Sequence, residues 1–145
     1  MLLSDGDPKI CNAVARSVDL NNLKTKKTNV LRLRWEEFSD AGLEPRFDCA
    51  IAADIVYYAG TFRVLVEIIA KLLKPGGKFI LFNPSRVSRL SEFLSAAEKS
   101  QLFSKITASE DYDNFITSLA HKIKLDNPCY VPEWHYPWQV ILEKN

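Results

Sequence analysis

Glycine-rich phosphate loops, closely spaced cysteines and long apolar runs are all missing from this sequence of 145 residues. It has five glycines and no GxGxxG motif, which counts against a complete dinucleotide-binding oxidoreductase. Its three cysteines, Cys11, Cys49 and Cys129, are far apart and form no CxxC pair, which indicates reduced thiols. Because only His121 and His135 could join them, we expect no zinc site. No apolar run approaches the roughly 20 residues of a membrane span.

A signal peptide pattern and an excess of one charge are also missing. The first residues, MLLSDGD, contain neither a basic region nor an apolar region of the length a signal peptide needs. The formal net charge is +1, so nothing in the overall charge indicates binding to nucleic acid or to an anionic membrane. One basic cluster, Lys24 to Lys27, is short, and a solvated loop explains it better than a binding patch. We therefore expect one intracellular globular domain, spanning residues 1–145.

Apolar periodicity predicts strands that alternate with helices. Strands are predicted over Met1–Ser4, Asn29–Leu33, Phe47 onward, Lys78–Phe82, Leu102–Ala108 and Trp138–Leu142. Helices are predicted from Pro8, with Asp7 as the cap, over Phe62–Leu73, from Ser88 to Ala97 and over Asp113–Leu125. We expect Pro75-Gly76-Gly77 to stop the second helix, and Ile116, Leu119 and Ile123 to face the core from the last one. This alternation is typical of an α/β fold with a largely parallel sheet.

The segment from Phe47 to Tyr58, FDCAIAADIVYY, is the predicted centre of the fold. Its apolar first half is typical of a strand that is buried on both faces. Asp54 and Tyr57 follow where that strand ends, and ligands of open α/β sheets bind beyond the carboxyl ends of the strands. A carboxylate and a phenol at this position could hold an amine. Alternatively, Asp54 caps the following helix and Tyr57 packs on its first turn.

Asp5 and Trp35 follow the first two predicted strands. An acid at a strand tip can accept hydrogen bonds from both hydroxyls of a ribose, but SDGDP also forms a turn without any ligand. Trp35 could stack on a purine or cover the edge of the core, and the sequence favours neither interpretation.

Several motifs resemble the class I S-adenosylmethionine-dependent methyltransferases. LLKPGGKFILF is similar to their fifth-strand region, and D-x-x-Y at Asp54 to Tyr57 resembles the fourth strand of the protein-lysine branch. The similarity extends nearly end to end through LLSDGD, LRLRW, FNPSR, AAEK and EWHYP, and it is closest to the calmodulin-lysine methyltransferases.

This resemblance implies a Rossmann-like sheet in the order 3-2-1-4-5-7-6, with an antiparallel seventh strand. It implies S-adenosylmethionine as cofactor, with Asp5 at its ribose and Trp35 and Ala53 against its adenine. It implies Asp54 and Tyr57 as the catalytic residues beside the lysine channel, and a protein substrate, calmodulin, in the cytoplasm and the nucleus. The residues expected on the substrate side are Asn83, Arg86 and Tyr136. Arg86 and Arg89 could contact an acidic substrate or be solvated loop charges.

The sequence departs from the family pattern at its amino terminus. It begins at what would be the second strand, so the first strand and the glycine-rich loop have no counterpart, and we expect an amino-terminally truncated member. The main prediction is methyl transfer from S-adenosylmethionine to a lysine of calmodulin. The alternative is a non-catalytic binding module that keeps part of the substrate surface. A half-site of a nucleotide-dependent oxidoreductase has only the general βαβ pattern in its favour.

Overall fold

A computed structural model describes residues 1–23, 28–37 and 45–145. It divides into two compact units, Met1–Ala41 and Gly42–Asn145, so the single domain that we expected stays a prediction. The strands are β1 (Leu2–Asp5), β2 (Asn29–Arg32), β3 (Phe47–Ala53), β4 (Leu73–Pro84), β5 (Phe103–Ser109) and β6 (Pro137–Lys144). The helices are α1 (Pro8–Leu20), α2 (Phe62–Leu72), α3 (Arg89–Ser100), α4 (Asn114–Asp126) and α5 (Pro132–His135), with 3₁₀ turns at Trp35–Glu37 and Ala59–Thr61.

The first unit consists of two parallel strands and one helix. β1 pairs with β2 from Leu2 opposite Asn29 onward. Asp7 caps α1 as predicted, because its carboxylate accepts a hydrogen bond from the amide of Lys9 at 2.7 Å. The basic cluster Lys24 to Lys27 lies outside the described residues, as does part of the predicted loop after β2.

The second unit contains a four-stranded sheet in the order β3-β4-β6-β5. β3 and β4 run parallel, whereas β6 is antiparallel to both of its neighbours. The pairs and directions of the two sheets agree with the order 3-2 and 4-5-7-6 that the family resemblance implies, including the antiparallel seventh strand.

The core of the second unit lies between one face of its sheet and the helices α2 and α3. The rings of Phe62 and Phe93 meet edge to face there, with centroids 6.0 Å apart. The helical positions of the core have the i, i+3, i+4 spacing of an amphipathic helix, and the sheet positions alternate along β4 and β6. Its most buried members are Val56, Val66, Leu73, Leu81, Asn83, Phe93, Val140 and Leu142.

Two predictions about burial are wrong. The central segment FDCAIAADIVYY does not form a strand buried on both faces, because Ile51 is 72% exposed and Cys49 is exposed. Within the described ranges β3 pairs with β4 alone, so it is an edge strand of its sheet. The helix α4 has no buried residue, and the expected inward-facing Leu119 and Ile123 are 41% and 37% exposed.

Pro75-Gly76-Gly77 does not stop α2, since that helix ends earlier, at Leu72. The three residues lie inside β4, where the register with β3 shifts between Phe47 and Cys49. Gly76 has a φ of +73°, a conformation that favours glycine. The segment therefore forms a bulge at the start of the strand. No helix in the described part of the chain is long and apolar enough to cross a membrane.

Candidate functional site

Asp54 and Tyr57 leave the sheet at the carboxyl end of β3. The last residue of that strand, Ala53, is exposed and lies opposite Phe82 of β4. The amide of Asp54 donates to the carbonyl oxygen of Phe82 at 2.9 Å, and Asp54 then turns the chain with a φ of +51°. The side chain of Tyr57 is 59% exposed.

A buried amide connects this turn to the end of β4. The side chain of Asn83 accepts a hydrogen bond from the amide of Val56 through Oδ1 at 2.9 Å. Its Nδ2 donates to the carbonyl oxygen of Pro84 at 2.8 Å and to that of Val56 at 3.4 Å. Asn83 is fully buried and its polar atoms are bonded to the backbone. It therefore holds the ends of the two strands together, and its expected contact with the substrate stays a prediction.

The carboxylate of Asp54 lies against the guanidinium of Arg86. Arg86 donates through Nη2 to both carboxylate oxygens, at 2.6 and 2.7 Å, and through Nε to Oδ1 at 3.0 Å. The side chain of Arg86 is 22% exposed and that of Asp54 is 53% exposed. The alternative in which Asp54 caps the next helix is wrong, because Thr61 is at the cap position of α2.

The loop after β4 is held in a constrained conformation by α5. The amide of Arg86 donates to the carbonyl oxygen of Glu133 at 2.7 Å. Its guanidinium carbon lies 5.7 Å from the ring centroid of Trp134, which is within cation–π range. Arg86 and Val87 both have positive φ, 46° and 63°, and this is an outlier for a β-branched residue.

A pocket of about 420 Å³ opens at this loop. The side chains around it are two aromatic, two basic and two small or aliphatic, namely Tyr57, Trp134, Arg86, Arg89, Val87 and Ser88. Its volume falls in the range of small-molecule sites, about 300–1,000 Å³. Tyr57 thus lines the pocket, and Asp54 forms an ion pair with Arg86, which also lines it.

The second arginine of the pocket is paired on its own helix. Arg89 donates to Glu92 at 3.0 Å, and the hydroxyl of Ser88 donates to the same carboxylate at 2.6 Å. The hydrogen bond from Ser88 lowers the pKa of Glu92, and Arg89 lowers it further, while desolvation of the carboxylate opposes both. The positive charge of Arg89 is therefore partly balanced by Glu92. Among the described residues, Asp54 forms an ion pair with Arg86 and not with Arg89.

Three tyrosines lie near the segment before β6. The hydroxyl of Tyr136 donates to the carbonyl oxygen of Glu110 at 2.6 Å and lies 3.2 Å from the hydroxyl of Thr117. Burial raises the pKa of Tyr112, with smaller contributions from the charges of Tyr136 and Asp113. Burial also raises the pKa of Tyr130. The hydroxyl of Tyr136 therefore links the segment before β6 to α4 and to the residues before that helix, and its contact with the substrate stays a prediction.

Asp5 and Trp35 belong to the first unit. Asp5 ends β1, and its Oδ1 accepts a hydrogen bond from the amide of Asp7 at 2.8 Å. This oxygen therefore stabilises the turn that SDGDP was expected to form. A carboxylate offers about four lone-pair positions, so Oδ2 could still accept hydrogen bonds from a ribose. Trp35 is half-buried at the start of a 3₁₀ turn.

The sequence did not predict the role of Trp134 or the hydrogen bond from the amide of Val56 to Asn83. Trp134 belongs to the motif EWHYP, but nothing in a single sequence indicates that its ring contacts Arg86. The described residues include no cluster of His, Cys, Asp and Glu that could hold a metal ion. The three cysteines are free thiols.

Comparison with known proteins identifies the family. A family model described as lysine methyltransferase matches residues 1–100. The chain belongs to the lysine methyltransferase family. A calmodulin-lysine N-methyltransferase from Arabidopsis thaliana is 26% identical to this lysine methyltransferase family member over 117 residues, or 78% of the chain. The chain spans only 38% of the length of that relative.

Solved structures share the fold of this family member. A predicted O-methyltransferase from Agrobacterium tumefaciens has a TM-score of 0.66 at 15% identity, covering 99% of this chain and 62% of that one. A SAM-dependent O-methyltransferase from Thermotoga maritima has a TM-score of 0.65 at 14% identity, covering 99% and 49%. The N-methyltransferase NodS from Bradyrhizobium japonicum, solved with S-adenosyl-L-homocysteine, has a TM-score of 0.57 at 13% identity, covering 99% and 65%. The fold is therefore the Rossmann-like methyltransferase fold.

Proposed function

We propose that this chain supplies the lysine-binding side of an S-adenosylmethionine-dependent protein-lysine methyltransferase whose substrate is calmodulin. The supporting observation is that Asp54 and Tyr57 emerge together at the carboxyl end of β3, beside an aromatic-lined pocket. The family match supports methyl transfer to lysine. The name of the Arabidopsis relative supports calmodulin as the protein that carries the lysine.

S-adenosylmethionine, when bound, supplies the methyl group on a positively charged sulfur. The proposed role of Asp5 is to hold its ribose through the carboxylate oxygen that does not accept from Asp7. The proposed contacts of Trp35 and Ala53 with the adenine come from the family resemblance. The chain has no GxGxxG motif.

The amine of the substrate must be neutral to attack the methyl carbon. With an ordinary lysine pKa of about 10.4, producing the neutral form at pH 7 costs roughly 4–5 kcal/mol. A dry channel and a neighbouring positive charge both favour the neutral amine, whereas a free carboxylate opposes it. Asp54 therefore acts by positioning the amine rather than as a strong base, and proximity supplies much of the rate. Tyr57 borders the lysine channel from the pocket wall.

A methylation assay tests the proposal. Calmodulin is incubated with the purified chain and S-adenosylmethionine that carries a labelled methyl group, and the modified lysine is located by mass spectrometry. We expect label on a lysine, and we expect Asp54→Asn to lower kcat/KM by up to about 100-fold through misplacement of the amine. The exposed Asp111→Asn is the matched control. Near-normal turnover and substrate affinity in Asp54→Asn would contradict the proposed role.

The second candidate is a non-catalytic binding module. The observation in its favour is the missing GxGxxG motif, because backbone amides of such a loop usually contact the cofactor. Isothermal calorimetry with S-adenosylmethionine separates the two candidates. Saturable micromolar binding supports the enzyme. A titration without heat, together with binding of calmodulin, supports the module.

A further inference from the structure

The ion pair between Arg86 and Asp54 affects how strongly the carboxylate of Asp54 can bind a substrate lysine. Both oxygens of the carboxylate accept from the guanidinium, over three contacts of 2.6 to 3.0 Å. A two-point arginine pair of this kind is among the stronger side-chain interactions, and a lysine ammonium is a single point charge that cannot reproduce it. Asp54 is therefore already occupied by a cation of this chain.

The surroundings keep Arg86 in this place. Its backbone is fixed by the hydrogen bond to Glu133, and its guanidinium contacts Trp134. Val87, the next residue, has a φ of +63°, which is costly for a β-branched side chain and persists only where surrounding contacts determine the conformation. The backbone of this loop is therefore strained at the position where Arg86 contacts Asp54.

We propose that Arg86 is a specificity-determining residue that pairs with Asp54 and so weakens the binding of a charged lysine ammonium at the site. The inference rests on the proposed function, because the ligand it concerns is the acceptor lysine. With Arg86 in place, the pair has a net charge near zero and offers an ammonium no counter-ion. Arg89, the second cation of the pocket, adds less to the repulsion, because its charge is partly balanced by Glu92. An uncharged amine meets no such barrier, and it is the reactive form.

The test measures binding without cofactor or turnover. The probe is Nα-acetyl-lysine N-methylamide, and the matched neutral probe is the corresponding norleucine compound, which has the same stem without the amine. Each is titrated at pH 7 into the isotope-labelled chain, and the NMR signals of Asp54 and Tyr57 report occupancy. The variants are Arg86→Gln and Arg86→Met, of which the second keeps the long stem that packs near Trp134. Thermal melting establishes that each variant is folded.

We expect Arg86→Gln and Arg86→Met to raise the affinity for the lysine probe about fivefold, which is the upper range for a partly exposed ion pair. The affinity for the norleucine probe should stay within about twofold, and adding Asp54→Asn should abolish the gain. Arg89→Gln is the control, since it removes an arginine of the same pocket that pairs with Glu92 and not with Asp54, and it should give a smaller gain than Arg86→Gln.

Three results would overturn the proposal: no gain in either Arg86 variant, a gain that survives Asp54→Asn, or an equal gain in Arg89→Gln. The complete absence of lysine-probe binding in the Arg86 variants counts as no gain. These outcomes are independent of the methylation assay. A gain at Asp54 in a chain that does not methylate calmodulin would uphold the role of Arg86 at the site and contradict the proposed function alone.

Discussion

Asn83 and Val56 are joined by a hydrogen bond that links the ends of two neighbouring strands inside the protein. The Oδ1 atom of Asn83 accepts from the amide of Val56 at 2.9 Å, and both residues are 0% exposed. Val56 stands between Asp54 and Tyr57 in the chain, so this bond holds the segment from which both candidate residues project. A single buried carboxamide therefore supports the geometry of the site.

Asn83→Ala should lower the free energy of unfolding by roughly 1–3 kcal/mol, because it leaves the buried amide of Val56 without an acceptor. Urea unfolding followed by circular dichroism measures the change. Asn114→Ala, which removes the same group from an exposed position of α4, should change stability by less than about 0.5 kcal/mol. Equal effects of the two substitutions would show that the bond of Asn83 does not stabilise the fold.

The two glycines of the β4 bulge should respond differently to alanine. A Cβ at Gly77 would lie 2.8 Å from the carbonyl oxygen of Lys74 and 3.1 Å from that of Phe47, so backbone would have to move. A Cβ at Gly76 meets nothing within 4 Å, and its cost is the positive φ alone, about 1–2 kcal/mol. We expect Gly77→Ala to lower the melting temperature more than Gly76→Ala. The reverse order would mean that the bulge rearranges easily around Gly77.

The stability of α3 should depend on pH through Glu92. The pKa of Glu92 is lowered in the folded state, chiefly by the hydrogen bond from Ser88, so its ionised form favours folding. That contribution is present above the ordinary pKa of a glutamate and is lost as the pH falls through the lowered value. Glu92→Gln should therefore lower the melting temperature at pH 7, and the difference from the wild type should shrink in acid.

The matched control for this pH experiment is Glu98→Gln, a substitution at an exposed glutamate on the same helix. Its melting temperature should follow that of the wild type more closely than Glu92→Gln does at pH 7. A difference between the wild type and Glu92→Gln that stays constant from pH 7 down to pH 3 would contradict the role of the carboxylate charge.

Local sequence signals predicted most elements of the fold correctly. Asp7 and Pro8 marked the start of α1, and the spacing of Phe62, Leu65 and Ile69 marked the buried face of α2. These signals are local because capping and amphipathic periodicity involve residues within a few turns of each other. The short helix α5 was missed, since four residues carry no measurable periodicity.

The candidate site could be predicted only in part. The D-x-x-Y pattern selected Asp54 and Tyr57, and the structure puts both at the end of β3. The pairing of Asp54 with Arg86 joins residues on different loops, and the contact of Arg86 with Trp134 joins two segments that are far apart in the chain. No periodicity or spacing encodes such contacts.

The sequence by itself determined where most of the strands and helices lie, which acid and phenol follow the third strand, and which family the motifs resemble. Apolar spacing, caps and turn residues act over a few positions, so they can be interpreted without coordinates. The tertiary structure alone decided that β3 is exposed on one face, that the side chain of Asn83 is hydrogen-bonded to the backbone, and that Arg86 forms an ion pair with Asp54. Burial and ion pairing depend on which distant segments meet, and only the folded chain specifies that.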